Sequence, residues 1–391
     1  MRILRKLFPA TILLSAVIAN GATPAALTGS DNPGYSFGSS VALGQNFAAV
    51  TGAGAVYVFV KPASGWVSMT QRAKLTASDG AYLSSVAISG NTIVAGASTS
   101  EEAFVFVEPA TGWANTTETA KLRASDGFSG NYFGGAVSIY QGTIVVGAPQ
   151  TNSVGAPPPG LAGAVYVFVE PAGGWVSTTE TAKLVASDGA SGDGLGISVA
   201  VGGSTVVAGA PNASIGGNKF QGAAYIFVKR GAHWVGEAET AKLTIPYIPF
   251  STLGFSVSIS NHVVVASGNQ IAFVYVQPSS GWTTTSTPTA QLTETQSHTY
   301  FGESISIRND VVAVGAAGNS QGIVSEAEIY VKPSTGWTNM SQTLSLHSPK
   351  DGGHGSFGWS VGVWANNVIV GYPQLFGSGN FGEVAYVFPV P

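Results

Sequence analysis

One hydrophobic pattern recurs seven times along the chain. Each copy opens on Phe37-Gly38, Leu83-Ser84, Phe133-Gly134, Leu195-Gly196, Leu253-Gly254, Phe301-Gly302 or Phe357-Gly358. A short run follows whose second and fourth positions are always Val, Ile or Leu. Its third position is always small: Ala42, Ala87, Ser138, Ala200, Ser258, Ser306 and Gly362. Alternation with period two predicts a β-strand. Neither face of this strand carries charge, so burial of both faces is expected. The small face would let a neighbouring sheet approach closely, as the innermost strand of a radial sheet requires. A tight turn such as Gly90-Asn91 or Gly202-Gly203 leads to a second, β-branched run, for example Ile144-Val145-Val146. The third run alternates aromatic and aliphatic residues, as in Val165-Tyr166-Val167-Phe168. A Pro-x-x-Gly-Trp turn, Pro171 to Trp175 in the third copy, precedes the fourth run. There Lys74, Lys121, Lys183 and Lys242 alternate with Leu75, Leu122, Leu184 and Leu243. The lysines read as guards of an exposed outer edge, and the leucines as inward-facing.

Four-stranded antiparallel units repeated around an axis predict a β-propeller. The seventh copy stops at Val387-Phe388, before its fourth run. That run sits at the other end of the chain, as Ala25-Ala26-Leu27-Thr28 followed by Asp31. A first strand that completes the last repeat describes a closed ring, which a solenoid would not produce. The predicted fold is all-β: a seven-bladed propeller of four-stranded blades, closed by the N-terminal strand, occupying residues 23–391 as a single domain.

Composition narrows the setting. Charged residues make up 9% of the 391, apolar residues 45%, and there is no Cys. This argues against disorder and leaves no disulfide or thiolate chemistry. Residues 1–19 read as a signal peptide: Arg2, Arg5 and Lys6, an apolar run from Leu7 to Ala19, then small residues, with cleavage near 19–22. Its removal takes three of 16 basic residues and none of the 20 acidic ones, leaving a net charge of −7. Nucleic acid is not an expected partner, nor is membrane insertion of the mature form. A secreted monomer, periplasmic or extracellular, is expected.

The order Phe-Gly, hydrophobic strand, Gly-Ala-Pro (Gly147–Pro149 and Gly209–Pro211), then Gly163-Ala-Val-Tyr-Val-Phe168, resembles the FG-GAP repeat of integrin α-subunit propellers. The link Ala186-Ser187-Asp188-Gly189 resembles the bacterial subgroup of those repeats. The resemblance covers essentially residues 23–388 and implies extracellular binding or adhesion. Integrin-like propellers carry Asp-rich calcium loops between first and second strands. Two-residue turns stand there in this chain, so that role does not carry over, and neither metal nor cofactor is expected.

The remaining residues offer little to catalysis. Asp31, Asp79, Asp126 and Asp188 each follow the fourth-run Leu by four residues and read as turn carboxylates bonding local amides. Glu118, Glu180 and Glu239 read as solvated outer-strand groups. Trp66, Trp113, Trp175, Trp234, Trp282 and Trp337 recur at a fixed place and read as packing. Trp359 and Trp364 fall outside that series and also read as packing. The five histidines have no metal-ligand spacing.

The asymmetry lies in the loops between second and third strands, which share a face with the fourth-to-first links. They are long in copies three, four, six and seven. Long loops on a rigid scaffold are where binding resides, so the candidate ligand contacts are Asn152, Asn212, Asn218, Lys219, Phe220, Phe376 and Asn380. The expected function is a non-catalytic binding or adhesion module for a surface glycan or extracellular protein. A polysaccharide hydrolase or lyase with a central site, and a purely structural surface protein, remain as alternatives.

Overall fold

The period-two runs become strands where the sequence places them, and each repeat closes into one antiparallel sheet. The computed structural model describes residues 23–31, 36–149, 162–236, 238–295, 300–318, 325–349, 356–374 and 383–391. Residues 1–22, which hold the leader reading, lie outside the described residues. Seven sheets form, one per copy. Blade one runs Val41–Leu43, Phe47–Gly52, Ala55–Val60 and Ala73–Leu75, from the innermost strand outwards. Blade seven runs Ser360–Trp364, Asn367–Tyr372 and Val384–Pro389, and its fourth strand is Ala25–Thr28. Ala25 pairs Val387 and Leu27 pairs Ala385, antiparallel, so the N-terminal strand closes the ring.

The core lies between blades. Each of seven apolar clusters joins one face of a blade to the facing side of the next. Val145, Val167 and Leu184 of blade three, for example, meet Val206, Tyr225 and Phe227 of blade four. In six blades a Trp follows the third strand and packs against these seams. Trp113 is 1% exposed, with its ring centroid 5.3 Å from that of Phe47 in the preceding blade.

The paired glycines of the repeat also act between blades. In blade four the Gly209 Cα lies so close to the carbonyl of Gly254, in the next blade, that a Cβ would sit 1.8 Å from its oxygen. The same approach joins Gly96 to Gly134, Gly147 to Gly196, Gly315 to Gly358 and Gly371 to Gly38. The second glycine of each pair also needs its freedom for a left-handed φ of 87° to 96°. Where the first glycine is replaced by Ser267, its hydroxyl donates to the Gly302 carbonyl instead. In five of the seven seams only backbone fits at this point, and the repeat places both its glycines there.

Three expectations change. The first strands are not buried on both sides. Ala87, Ile88, Ser138 and Ser258 are half-buried, because an innermost strand has a free edge on the axial channel. Serine hydroxyls of one blade satisfy that edge on the next: Ser258 Oγ accepts from the Ile307 amide at 3.1 Å, and Ser306 Oγ from the Val363 amide at 3.1 Å.

Second, the outer lysines do not guard open edges. Among the described residues, the segment before the fourth strand lies parallel on the preceding blade's outer strand in six seams, as Leu27 with Met69, Leu122 with Thr178 and Leu292 with Met340. Each lysine reaches back to the preceding blade, Lys74 to Asp31 at 2.5 Å, Lys121 to Asp79 at 2.5 Å, Lys183 to Asp126 at 2.5 Å and Lys242 to Asp188 at 2.7 Å. Its ammonium also lies over the ring of Tyr57, Phe104, Tyr166 or Tyr225, 5.1–5.4 Å from the centroid. The Asp series is thus mainly an inter-blade clasp, with local turn bonding as at Asp79 to the Ala81 amide added to it. At Asp31 and Asp79 the lysine bond pulls the carboxyl below its ordinary range. At Asp126 and Asp188 partial burial works upward, and the Lys and Tyr bonds outweigh it.

Third, Glu118, Glu180 and Glu239 are not solvated decoration. Each accepts both the backbone amide and the hydroxyl of a serine in the preceding blade: Ser78, Ser125 and Ser187.

Candidate functional site

The fourth-to-first links and the second-to-third loops lie together on one face, and its centre is the mouth of the axial channel. A cavity of about 410 Å³ opens there, lined by residues from all seven blades. On the opposite face the channel opens into a cavity of about 540 Å³ among the first-to-second turns. There Arg308 stacks its guanidinium 4.0 Å over Trp364, and His262 Nδ1 bonds Gln277 Oε1 at 2.6 Å. That face is built from short turns.

The loop-rich face is different. Phe220 is 43% exposed, in the loop between the second and third strands of blade four. It stacks on Phe250, itself 64% exposed, with centroids 6.3 Å apart and an interplanar angle of 23°. Phe250 comes from the link between blades four and five, and the two segments pair through the Thr252 amide on the Phe220 carbonyl at 3.0 Å. Phe220, Phe250 and Thr252 all hold positive φ, at 57°, 54° and 47°. Bulky and β-branched residues avoid that region. Surrounding structure must therefore hold this backbone, and such outliers cluster at functional sites.

The other predicted contacts separate. Asn212 is half-buried and structural: its amide donates to the Gly192 carbonyl at 3.1 Å. Asn218 closes the turn with Ile215 and donates to Gln221 Oε1 at 3.3 Å. Lys219 is exposed beside Phe220. Asn152, Phe376 and Asn380 lie outside the described residues.

Five residues that loop length did not single out lie on this face. Phe250 is one. The others are Phe255, Glu303 and Trp359 at the channel mouth, and Tyr300 beside them. A signal for three of them was present in the repeat. The residue after Phe-Gly is Ser39, Gly135, Ile197, Phe255, Glu303 and Trp359 in successive copies, with the second copy one residue shorter. Small or aliphatic residues give way to aromatic and acidic ones in the last three blades. Burial pushes the Glu303 carboxyl up to about 7, the one cause of its shift.

Catalytic geometry has one further place to be sought. Glu326 and Glu328, on the third strand of blade six, are 2% and 0% exposed. They stand inside the blade rather than in a cleft. Glu328 accepts from the Ser345 hydroxyl at 2.9 Å, and His347 Nδ1 lies 3.5 Å from Glu326. Burial, together with the neighbouring Glu326 carboxyl, raises the Glu328 carboxyl well above the usual range, so it is held neutral inside the sheet. This pair reads as structure.

Comparison with known proteins follows the same line. The FG-GAP repeat model matches residues 116–168 and 178–227. No curated protein matches the sequence. Among solved structures, U3-55K superposes with a TM-score of 0.59 at 9% identity, covering 95% of this chain and 99% of that one. The WD40 β-propeller domain of Doa1 gives 0.53 at 11% identity, covering 89% and 91%. The computationally designed Ika8 protein gives 0.52 at 12% identity, covering 94% and 100%. At these identities the likeness shows the fold alone. The chain is thus a seven-bladed β-propeller closed by its N-terminal strand, with FG-GAP repeats matched over residues 116–168 and 178–227.

Proposed function

We propose that this protein is a secreted or cell-surface, non-catalytic binding module that recognises a surface glycan or an extracellular protein through its loop-rich face. The observation that carries this reading is the Phe220–Phe250 stack. Two large aromatic rings stand exposed side by side on a backbone held in the left-handed region. An apolar pair exposed at that structural cost is what a recognition surface presents, since aromatic anchors dominate binding energy at interfaces. The FG-GAP repeats favour a binding role, and the leader-like residues 1–19 favour export.

The test is a glycan array together with a pull-down from surface proteins, followed by Phe220→Ala, Phe250→Ala and, on the opposite face, Asn91→Ala. Circular dichroism checks folding. Loss of either ring is expected to weaken binding by ~2 kcal/mol, the scale of an anchor residue, while Asn91→Ala changes nothing. Weakening by Asn91→Ala alone places the site on the other face. A protein that binds nothing is a structural one.

A further inference from the structure

Phe255, Glu303 and Trp359 come from consecutive blades and put an aromatic, a carboxyl and an aromatic side by side at the channel mouth. Between blades five and six the first two of these also wall a second cavity, of about 330 Å³. Tyr300, Asn269 and Gln270 line it as well. This cleft is open because the connection between Val263–Gly268 and Ile271–Val276 is the two-residue turn Asn269-Gln270. Blade four has residues 211–222 at the same place. The short loop, not a long one, makes the cleft, and the longer loop of the neighbouring blade stands beside it.

The floor is backbone. A Cβ on Gly268 would lie 2.1 Å from the Ser251 carbonyl oxygen, and one on Gly302 would lie 2.8 Å from that of Gly268. Phe255 is held over this floor by its amide, which donates to the carbonyls of Thr252 and Ser267 at 3.2 and 3.1 Å, and its ring is 42% exposed. Glu303 is half-buried, yet among the described residues its carboxyl makes no hydrogen bond or ion pair. A half-buried carboxyl with no protein partner is left to water or to a ligand. No basic side chain lines either cavity, and Tyr300 is the one other ionisable group among their described lining residues.

We infer that the cleft between blades five and six is a saccharide subsite, taking a neutral pyranose unit with its C–H face on Phe255 and its hydroxyls on the Glu303 carboxyl and the Gln270 amide. The inference rests on the binding-module reading and names its ligand. A pyranose has one apolar face and a rim of hydroxyls that both donate and accept. An aromatic wall, a carboxyl and two amides supply the complementary surface, in a cleft whose lining mixes apolar and polar groups. An acidic sugar would find no cation here and would face the Glu303 carboxyl.

The experiment uses the full mature chain. Neutral, N-acetylated, amino and uronic-acid oligosaccharides are screened on an array, and the tightest neutral one is titrated calorimetrically into wild type, Phe255→Ala, Glu303→Gln and Phe220→Ala. Melting temperatures confirm that each variant folds. Wild type is expected to bind neutral or N-acetylated oligosaccharides. Phe255→Ala is expected to weaken binding ~30-fold, the scale of an aromatic anchor, and Glu303→Gln about 10-fold, the scale of a charge-assisted hydrogen bond. A neutral glycan bound equally well by Phe255→Ala and Glu303→Gln overturns the subsite and leaves the binding module standing, the more so if Phe220→Ala weakens it. Binding restricted to uronic-acid glycans, to amines or to a protein also overturns the subsite while keeping the module. No binding of any kind overturns both.

Discussion

A carboxyl such as Glu303 costs the fold something whenever it ionises. Burial raises its pKa from the ordinary 4.5 to about 7, so between those values the folded chain holds a proton that the unfolded chain has lost. Its stability contribution is complete below pH 4.5 and is lost as pH rises through 7. Glu303→Gln removes the ionisation and keeps the shape. The variant is expected to melt with wild type at pH 4.5 and to be the more stable at pH 8, by ~3 kcal/mol at most and by less as solvent screens the half-buried carboxyl. Thermal melts at the two pH values measure this, and equal midpoints at pH 8 would mean that the carboxyl is well solvated. The clasp carboxyls work in the opposite sense. Asp31, Asp79, Asp126 and Asp188 are all held below their ordinary value. Their contribution is present at neutral pH and is lost as pH falls below 4. These aspartates are well exposed, so each clasp is a small term, and the buried apolar seams carry the stability.

At the scale of elements, the seam between blades is set by what can approach what. Gly209 has no room for a side chain, since the Gly254 oxygen occupies the place of a Cβ at 1.8 Å. Gly209→Ala must push two sheets apart at a packed seam, and a loss of about 3 kcal/mol or more is expected. Gly90, in a first-to-second turn, holds φ at 60° with nothing within 4 Å of its Cβ position. Gly90→Ala is expected to cost ~1 kcal/mol, from backbone conformation alone. Urea denaturation of the two variants compares them. Equal losses would show that the seam relaxes freely. Blade five shows the same logic reversed, because its Ser267 keeps the seam closed with a hydrogen bond in place of the close backbone contact.

At the scale of the molecule, one short strand completes the ring beside the apolar seam between blades seven and one. Ala25–Thr28 pairs Val384–Pro389 on one side and Met69–Thr70 on the other, tying the last blade to the first. Removing residues 20–31 leaves the third strand of blade seven as an open edge and uncovers Val387 and Leu27's neighbours Val50 and Tyr57 in the same apolar cluster. The truncated chain is expected to melt lower and to associate through that edge. Calorimetry and light scattering measure both. A truncated chain that stays monomeric at the full-length midpoint would mean that closure contributes nothing.

Much of this was legible in the chain, because strand periodicity, turn chemistry and repetition are local properties that sequence order preserves. The Phe-Gly and Gly-Ala-Pro pieces, the Trp positions and the transplanted Ala25-Ala26-Leu27 run determined the all-β class, the blade count and the ring closure. An aromatic in a Gly- and Asn-rich loop either hides or offers a face, and the structure leaves Phe220 43% exposed. The partners were not legible. Lys121 and Asp79, or Glu118 and Ser78, are some forty residues apart in sequence and meet only because radial packing sets one blade's outer strand against the next. Period two could not show that the first strands border an axial channel, because an edge is defined by what is missing beside it. Loop length pointed to the crowded loops, whereas the cleft beside Glu303 opens where a loop is short. Only the tertiary structure brings Phe255, Tyr300 and Glu303 together, because a cleft is the space between elements and no single element encodes it.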